Sequence, residues 1–321
     1  MAEGQHRKKP TLGLALIAKN EEKNVEECIS RCRGADQVSL VDTGSKDKTV
    51  ELARACGAVV SEGEFNWPDP PDTTGIDFSA ARNRSIDLLT TDWFMFLDLD
   101  ERLDKGHIWN IKKAIETVDP KVGAILVTMY NEHGDFFWRE KVMKMQPGLK
   151  FVGRVHEGFA DETMWGEYAP NVKIHYEQRP NSERNYSILR EEITANIDDM
   201  RLQYLMGREE FCWGNIPSAA YWLERYLRTY EKSGKSQPMR SADALFTLSM
   251  CHAKMNEFKV AKKYAGQCLT VNPDFKEAAQ LLADIGAFEN NGLAQQRWLE
   301  MAKSAQNRGL CFQKRSFQAA A

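Results

Sequence analysis

Long apolar runs are missing from this chain of 321 residues. Nothing in it approaches the roughly 20 consecutive apolar residues that a helix needs to cross a bilayer. The opening MAEGQHRKKP lacks the apolar stretch of a secretory leader. This predicts no membrane span and a cytoplasmic protein with a disordered basic tip over residues 1–10. Cysteine supplies no framework either: the seven are an odd number, scattered through helical or apolar contexts, which speaks against disulfides and against a zinc site. Cys28 and Cys32 can share a helix face, but two thiols without partners read as reduced core or surface residues. Surplus charge is missing too. A formal net charge of −3 argues against a nucleic-acid binder driven by bulk electrostatics, although a total is silent on a local basic groove. No GxxxxGKS/T and no GxGxxG behind a strand is present, so neither P-loop hydrolysis nor a dinucleotide-binding Rossmann site has support.

What is present is enough apolar material, 42% of residues, to bury a sizeable core and divide it between two domains. From Thr11 to about Phe96 short apolar runs alternate with helical patterns: TLGLALIA, NVEECISRCRG, QVSLVD, KTVELARACG, AVVSE, FSAARNRSIDLL and WFMFLD. Alternation of this kind predicts crossovers and a mostly parallel sheet covered on both faces, an α/β domain. From about Val122 the runs GAILVTMY, DFFWREKVMKM and LKFVGRVHEGF, with turns at NEHG and QPG, predict antiparallel strands added to that sheet. After YEQRPNSERN the pattern is helical. In ALFTLSMCHAKMNEFKVAKKYAGQCLTVNPDFKEA, the spacing of Leu245, Leu248, Ser249, His252, Ala261, Ala265 and Cys268, followed by Pro273, is that of a tetratricopeptide helix pair. NIPSAAYWLERYLRTY and FKEAAQLLADIG read as partial neighbours capping a short stack. His252 stands where the repeat usually has Tyr and reads as a packing residue. The resulting division is an α/β domain over 11–180, a helical domain over 181–310 and a tail over 311–321.

The stretch FMFLDLDERLD, residues 94–104, poses the functional question, because a buried strand ends in Asp98, Asp100 and Glu101. Ligands of open parallel sheets bind beyond the carboxyl ends of the strands. Two carboxylates one residue apart there can hold a hard divalent cation while leaving positions for a ligand's phosphates. Such a cation offsets negative charge growing on a departing diphosphate. The competing explanation makes Asp100 a cap for the helix in KGHIWNIKKAIETV and the other acids a solvated turn.

The segments LALIAKNEEKNVEECI, VSLVDTGSKDKTVELARACGA, DFSAARNRSIDLLTTDWFMFLDLDERL and GLKFVGRVHEGF resemble, in order and spacing, the family two glycosyltransferases. The resemblance is strong over about 11–190 and looser in the helical end. It is similar to the subgroup with tetratricopeptide-like helices behind the catalytic domain, as in bacterial peptide S-glycosyltransferases of the sublancin type. It implies a GT-A fold and inverting, metal-dependent transfer of a sugar from a nucleotide donor, usually UDP-linked. The implied cofactor is manganese or magnesium, and the implied acceptor a protein or peptide, with a glycan or a modified nucleic-acid base as alternatives.

The same resemblance implies roles. Asn20 and Glu21, after the first strand, face the nucleoside, and Asp42 serves the donor. Ser45 and Asp47 either assist or simply cap the next helix. Asp77 is a helix cap or a nucleoside contact. Arg82 reaches a phosphate with its planar fork or pairs with Asp98. Asp98 and Asp100 match the DxD element, Asp100 for direct metal contact and Asp98 for ribose or metal-bound water. Leu99 departs from the subgroup's usual Ala. An acceptor also needs a base, and GRVHEGF supplies His156 and Glu157; neighbours on a strand face opposite ways, and Glu157 is favoured. His175 either completes the metal shell or is packed. The insertion EFNWPDPPDTTGID is expected to be a loop near the mouth of the site. A sugar nucleotidyltransferase would need a basic, Gly-rich triphosphate loop near the start, which is missing. A non-catalytic protein-binding scaffold would be marked by loss of the acids, which are present.

Overall fold

A computed structural model describes residues 8–134, 136–159, 166–177, 182–234 and 238–305. The outer part of the expected basic tip and the expected tail over 311–321 lie outside these. The chain divides into two compact units, Met1–Arg179 and Pro180–Ala321.

The first unit is built on an eight-stranded sheet in the order β3-β2-β1-β4-β7-β6-β10-β5. Its strands are β1 (Leu12–Ala18), β2 (Gln37–Asp42), β3 (Val59–Ser61), β4 (Trp93–Leu97), β5 (Arg102–Leu103), β6 (Ala124–Tyr130), β7 (Phe136–Lys144) and β10 (Gly166–His175). β3, β2, β1 and β4 run parallel, as the alternation of runs predicts. Every residue of β1 and β4 is buried, because helices cover both faces and neither face can be polar. Those helices are α1 (Val25–Arg31), α2 (Thr49–Ala55), α3 (Phe78–Asp87) and α4 (His107–Thr117). In α1 the buried set is Val25, Cys28 and Ile29, and in α4 it is Ile108, Ile111 and Ile115, one helical face in each case. Cys28 and Cys32 both pack into the main core, and burial pushes the Cys32 thiol up to about 12, as suits a reduced core residue.

One expectation for the later strands needs correction. β6 and β7 pair antiparallel as expected, and β10 adds to β6 in parallel. The LKFVGRVHEGF segment does not join the sheet. It forms β8 (Phe151–Val152) and β9 (Gly158–Phe159), a separate two-stranded ribbon. Its rings decide this: Phe151 and Phe159 lie 4.3 Å apart and pack edge-on against Phe96 of β4, at 5.0 and 5.9 Å. The ribbon thus sits against the sheet through an aromatic contact instead of extending it.

The second unit is all-helical: α5 (Glu183–Ala195), α6 (Met200–Cys212), α7 (Ile216–Ser233), α8 (Pro238–Lys254), α9 (Phe258–Val271), α10 (Lys276–Phe288) and α11 (Gly292–Ser304). Ser182 and Asp199 cap α5 and α6 through their side-chain oxygens. Every residue of α8 from Ser241 to Ala253 is buried, since one side packs with α9 and α10 and the other with α6 and α7. A helix shared by two cores has no face left for solvent, and its polar residues Ser241, Asp243, Thr247, Ser249 and His252 are buried with the rest. His252 lies in this packing, its ring stacked on Tyr264 at 5.4 Å and its Nδ1 2.6 Å from Glu257 Oε2.

The α6–α7 contact depends on a missing side chain. A Cβ on Gly207 would meet Leu223 Cγ at 2.6 Å and the Leu223 amide nitrogen at 3.2 Å, so the two backbones would have to separate. Overpacking costs about 1–3 kcal/mol, against a gain of about 1 kcal/mol in helix propensity for Gly→Ala. Gly207→Ala is therefore expected to lower the stability of the helical unit by up to about 2 kcal/mol, measured by denaturant unfolding followed by circular dichroism.

Candidate functional site

The parallel order β2-β1-β4 brings three strand ends together at one edge. Ala18 is in register with Asp42 and Leu16 with Leu97, so the residues that follow β1, β2 and β4 emerge side by side. At the β1–β2 end two loops are laced to each other. Asn20, at φ 56°, donates its amide to Ser45 Oγ at 2.9 Å and accepts the Lys46 amide on Oδ1 at 2.8 Å. The Glu21 amide donates to Thr49 Oγ1 at 2.7 Å, and its carboxylate accepts from Asn24 Nδ2 at 2.7 Å. Asp42 is buried and accepts the amides of Gly44 and Ser45 at 3.0 and 3.1 Å, which folds the turn where Gly44 takes φ 104°. Asp47 holds the Thr49 amide and hydroxyl. Asn20, Glu21 and Asp42 are thus the joints of this corner as well as its polar lining.

The insertion before α3 is fixed to that corner at one end. Lys19 Nζ donates to the carbonyls of Trp67 and Pro68 and pairs with Asp69 at 2.9 Å, and Lys46 reaches Asp69 at 2.6 Å. Hydrogen bonds from Lys46 and then Lys19 hold the Asp69 carboxyl down at about 2. At the other end Arg154 donates to the carbonyls of Ile76 and Thr73 at 2.9 and 3.1 Å. The loop therefore runs from the β1–β2 corner to the segment carrying Glu157. Asp77 follows it as the cap of α3, accepting the Ala80 amide at 2.9 Å and the Ser79 hydroxyl at 2.7 Å.

Helix α3 then presents Arg82 and Asn83. Asn83 donates from Nδ2 to the Phe151 carbonyl at 3.0 Å and accepts the Phe151 amide at 2.8 Å, which fastens the β8–β9 ribbon to the helix. Arg82 is 6% exposed. It donates from Nη2 to Asp98 Oδ1 at 2.5 Å and from Nε to Glu157 Oε1, with its guanidinium carbon 5.7 and 5.8 Å from the Phe96 and Phe151 ring centres. Burial alone would raise the Asp98 carboxyl, but the charges of Arg82 and Lys141 outweigh it and hold that carboxyl far down. Burial is likewise outweighed at Glu157, which Arg82 keeps below its ordinary value.

The third acid of FMFLDLDERLD is no part of a solvated turn. Glu101 is buried, takes two hydrogen bonds from Lys141 Nζ at 2.8 and 2.6 Å, and accepts the Asp98 amide at 3.0 Å. Lys141 is 1% exposed and lies over the Phe96 ring at 4.8 Å. Its inward position comes from a bulge: Ile125 pairs with Val142 and Leu126 with Glu140, which leaves Lys141 as the extra residue of β7. Burial pushes Glu101 up and Lys141 down, and the contact between them opposes both shifts. Nor does Asp100 cap the next helix, since Arg102–Leu103 forms β5 and α4 begins after Gly106.

His156 and Glu157 do not lie on a strand, as the sequence suggested, but in the bend between β8 and β9, with His156 at φ 49°. They diverge all the same, His156 exposed and the Glu157 side chain 12% exposed. His175 closes β10 in register with Arg102, two residues past Asp100, and its ring meets Tyr130 edge-on at 5.3 Å. Among the described residues, no three His, Cys, Asp or Glu side chains converge as a metal cluster. The donor set of Asp98 and Asp100 fits a divalent cation only if a ligand's own oxygens complete its shell. Sequence reasoning missed Asn83, Lys141, Lys19 and Arg154; the one available signal was Asn83, inside the SAARN stretch beside Arg82.

Comparisons with known proteins bear on both units of the chain. The profile of Glycosyl transferase family 2 matches residues 14–202, and that of the Fis1 C-terminal tetratricopeptide repeat matches residues 242–286. The SPbeta prophage-derived glycosyltransferase SunS of Bacillus subtilis (strain 168) is 23% identical over 301 residues, 86% of this chain and 68% of that protein. A TPR repeat-containing protein of Synechococcus elongatus is 23% identical over 274 residues, 78% of this chain, which spans 64% of that relative's length. Among solved structures, a complex of glucosyl-3-phosphoglycerate synthase from Mycobacterium tuberculosis with Mn2+, UDP and glucosyl-3-phosphoglycerate is 24% identical, covering 38% of this chain and 44% of that one, with a TM-score of 0.29. MamA is 16% identical, covering 38% and 67%, with a TM-score of 0.34. Both scores are too low for the superpositions to bear on the site.

The buried pair makes a direct forecast. Lys141→Met removes the partner of a buried carboxylate and is expected to cost about 3–5 kcal/mol, whereas Lys141→Met with Glu101→Gln should recover most of that loss. Urea unfolding of the three proteins measures both numbers.

Proposed function

The chain belongs to glycosyl transferase family 2, and on that premise we propose that it moves a sugar from a UDP-linked donor to a peptide or protein acceptor, with inversion, using manganese or magnesium. The observation that carries this reading is the contact chain at the end of β4, where Arg82 joins the DxD carboxylate Asp98 to Glu157. A donor-side acid and an acceptor-side base have to flank one sugar, and here one guanidinium touches both. Asn20, Glu21 and Asp42 shape the nucleoside end, with Asp77 setting the start of α3 behind it. Asp100 and Asp98 are the residues that would hold the cation, with oxygens of the donor completing its shell. When bound, the cation offsets charge on the departing diphosphate. Arg82 adds a second positive charge beside Asp98, oriented for a phosphate by its planar fork. Glu157 accepts the acceptor's proton as the new bond forms on the face of the sugar opposite the diphosphate. The tetratricopeptide-like unit supports a peptide or protein acceptor, since stacked helix pairs build extended binding surfaces.

A panel of nucleotide sugars with manganese or magnesium, scored by thermal stabilisation and donor hydrolysis, tests the donor assignment. UDP-sugars should stabilise the wild-type protein only when metal is present. Asp100→Asn should abolish that stabilisation and leave the unfolding transition of the free protein unchanged, because Asp100 lies beyond a strand end and outside the core. Metal-dependent turnover at the wild-type rate by this variant would refute the assignment.

The base is tested separately. Glu157→Gln should lower the transfer rate by roughly 10² to 10⁴, and the loss should shrink with a thiolate acceptor, whose proton has already gone. His156→Ala should transfer at close to the wild-type rate; if it shows the loss instead, the two roles are exchanged.

A further inference from the structure

Resting on the donor and base assignments above, we infer that Arg82 is a shared counterion that makes the base wait for the donor: it neutralises Glu157 in the free protein, and a bound nucleoside diphosphate draws it away. The geometry supplies the parts. Nε donates to Glu157 Oε1 and Nη2 to Asp98 Oδ1 at 2.5 Å, so two edges of one planar group serve two carboxylates from different segments. The guanidinium lies against the Phe96 and Phe151 rings, its carbon 5.7 and 5.8 Å from their centres, so it can turn toward a neighbouring anion without leaving this support. Glu157 is one-eighth exposed and gets little help from water if Arg82 turns away. A diphosphate arriving at Asp98 brings several anionic oxygens in the fork geometry that a guanidinium prefers over a single carboxylate oxygen. Each hydrogen bond that Arg82 gives to phosphate is withdrawn from the carboxylates.

The consequence is an order of events. While Arg82 holds it, Glu157 is a stabilised anion with little appetite for a proton. Once Arg82 faces the diphosphate, Glu157 loses its counterion in a pocket that offers it little water, and its affinity for a proton rises. The acceptor's O–H or S–H proton then passes to the Glu157 carboxylate, and the electron pair it leaves forms the bond to the anomeric carbon. The bond from that carbon to the diphosphate oxygen breaks, and its electron pair departs with UDP. Arg82 is in this sense a positioning residue for the base as well as a donor contact.

Calorimetric titration of UDP in the presence of manganese tests this on wild type, Glu157→Gln, Arg82→Lys and the double variant, with no need for an acceptor. Glu157→Gln removes one of the two charges that hold Arg82 before UDP arrives and should tighten UDP binding by roughly three- to tenfold. With Arg82→Lys, which keeps the charge but cannot reach both carboxylates with one fork, the same Glu157→Gln change should alter affinity less than about twofold. Equal affinity in wild type and Glu157→Gln overturns the inference, and so does equal tightening in both backgrounds, which would be a simple effect of charge through space. Absence of UDP binding to wild type would instead remove the donor assignment, and the inference with it. Should Arg82→Lys not fold, carbodiimide labelling of Glu157 in wild type, mapped by mass spectrometry, decides: labelling should rise at least twofold with UDP and manganese, and unchanged or reduced labelling overturns the inference.

Discussion

Carboxylates gathered at one strand end repel one another, and the site depends on the two cations placed among them. Two like charges about 4 Å apart cost on the order of 4 kcal/mol at an effective dielectric of about 20. Asp98, Asp100, Glu101 and Glu157 approach the same end of β4. Arg82 and Lys141 offset two of those four charges from below and beside. Without them the strand could not finish as FMFLDLDERLD. This also explains why Glu101, which reaches no ligand-facing position, is part of the stretch: it anchors Lys141, and through its bond to the Asp98 amide it fixes the direction in which the chain leaves β4.

The aromatic contact beneath these charges gives them their strength. Phe96, Phe151 and Phe159 form one cluster, and the cationic heads of both Arg82 and Lys141 lie over the Phe96 ring. Rings exclude water from one side of the charge network, so each ion pair is screened less than it would be at an open surface. The same cluster, with the two Asn83 hydrogen bonds to Phe151, holds the β8–β9 ribbon at a set distance from β4. Asp98 and Glu157 therefore share one rigid support although more than fifty residues separate them in sequence.

Periodicity made much of this legible. The buried runs of β1, β2 and β4 and the single apolar faces of α1 and α4 are local patterns, and the parallel order follows from their alternation. The tetratricopeptide spacing was equally local, and it located the α8–α9 pair. Lys141 was invisible for a physical reason: in FFWREKVMK simple alternation cannot say which way a lysine points when a bulge shifts the register beside it. Glu101 looked like a turn acid because its partner lies 40 residues away. The ribbon of β8 and β9 was read as part of the sheet because a run of alternating residues specifies a strand and says nothing about its neighbour. The pinning of the 62–77 loop by Lys19 and Arg154 goes to backbone carbonyls, which no side-chain pattern announces.

The identity of the two cations follows from what each has to do. Lys141 has one partner and a fixed position, and a compact ammonium that donates to both oxygens of Glu101 suits a charge that stays put. Arg82 has partners in two segments, and a planar group with donors on separate edges meets each of them along its own direction. Exchanging the two residue types would keep the net charge and lose the division of work, since a lysine at position 82 would bring a compact charge without the fork that meets Asp98 and Glu157 on separate edges. A guanidinium at position 141 would have to fit, with donors in excess of the oxygens Glu101 offers, into a space that is 1% exposed, and unsatisfied buried donors are costly. The fixed charge therefore sits under the acidic loop, and the shareable one sits where carboxylates from two segments meet.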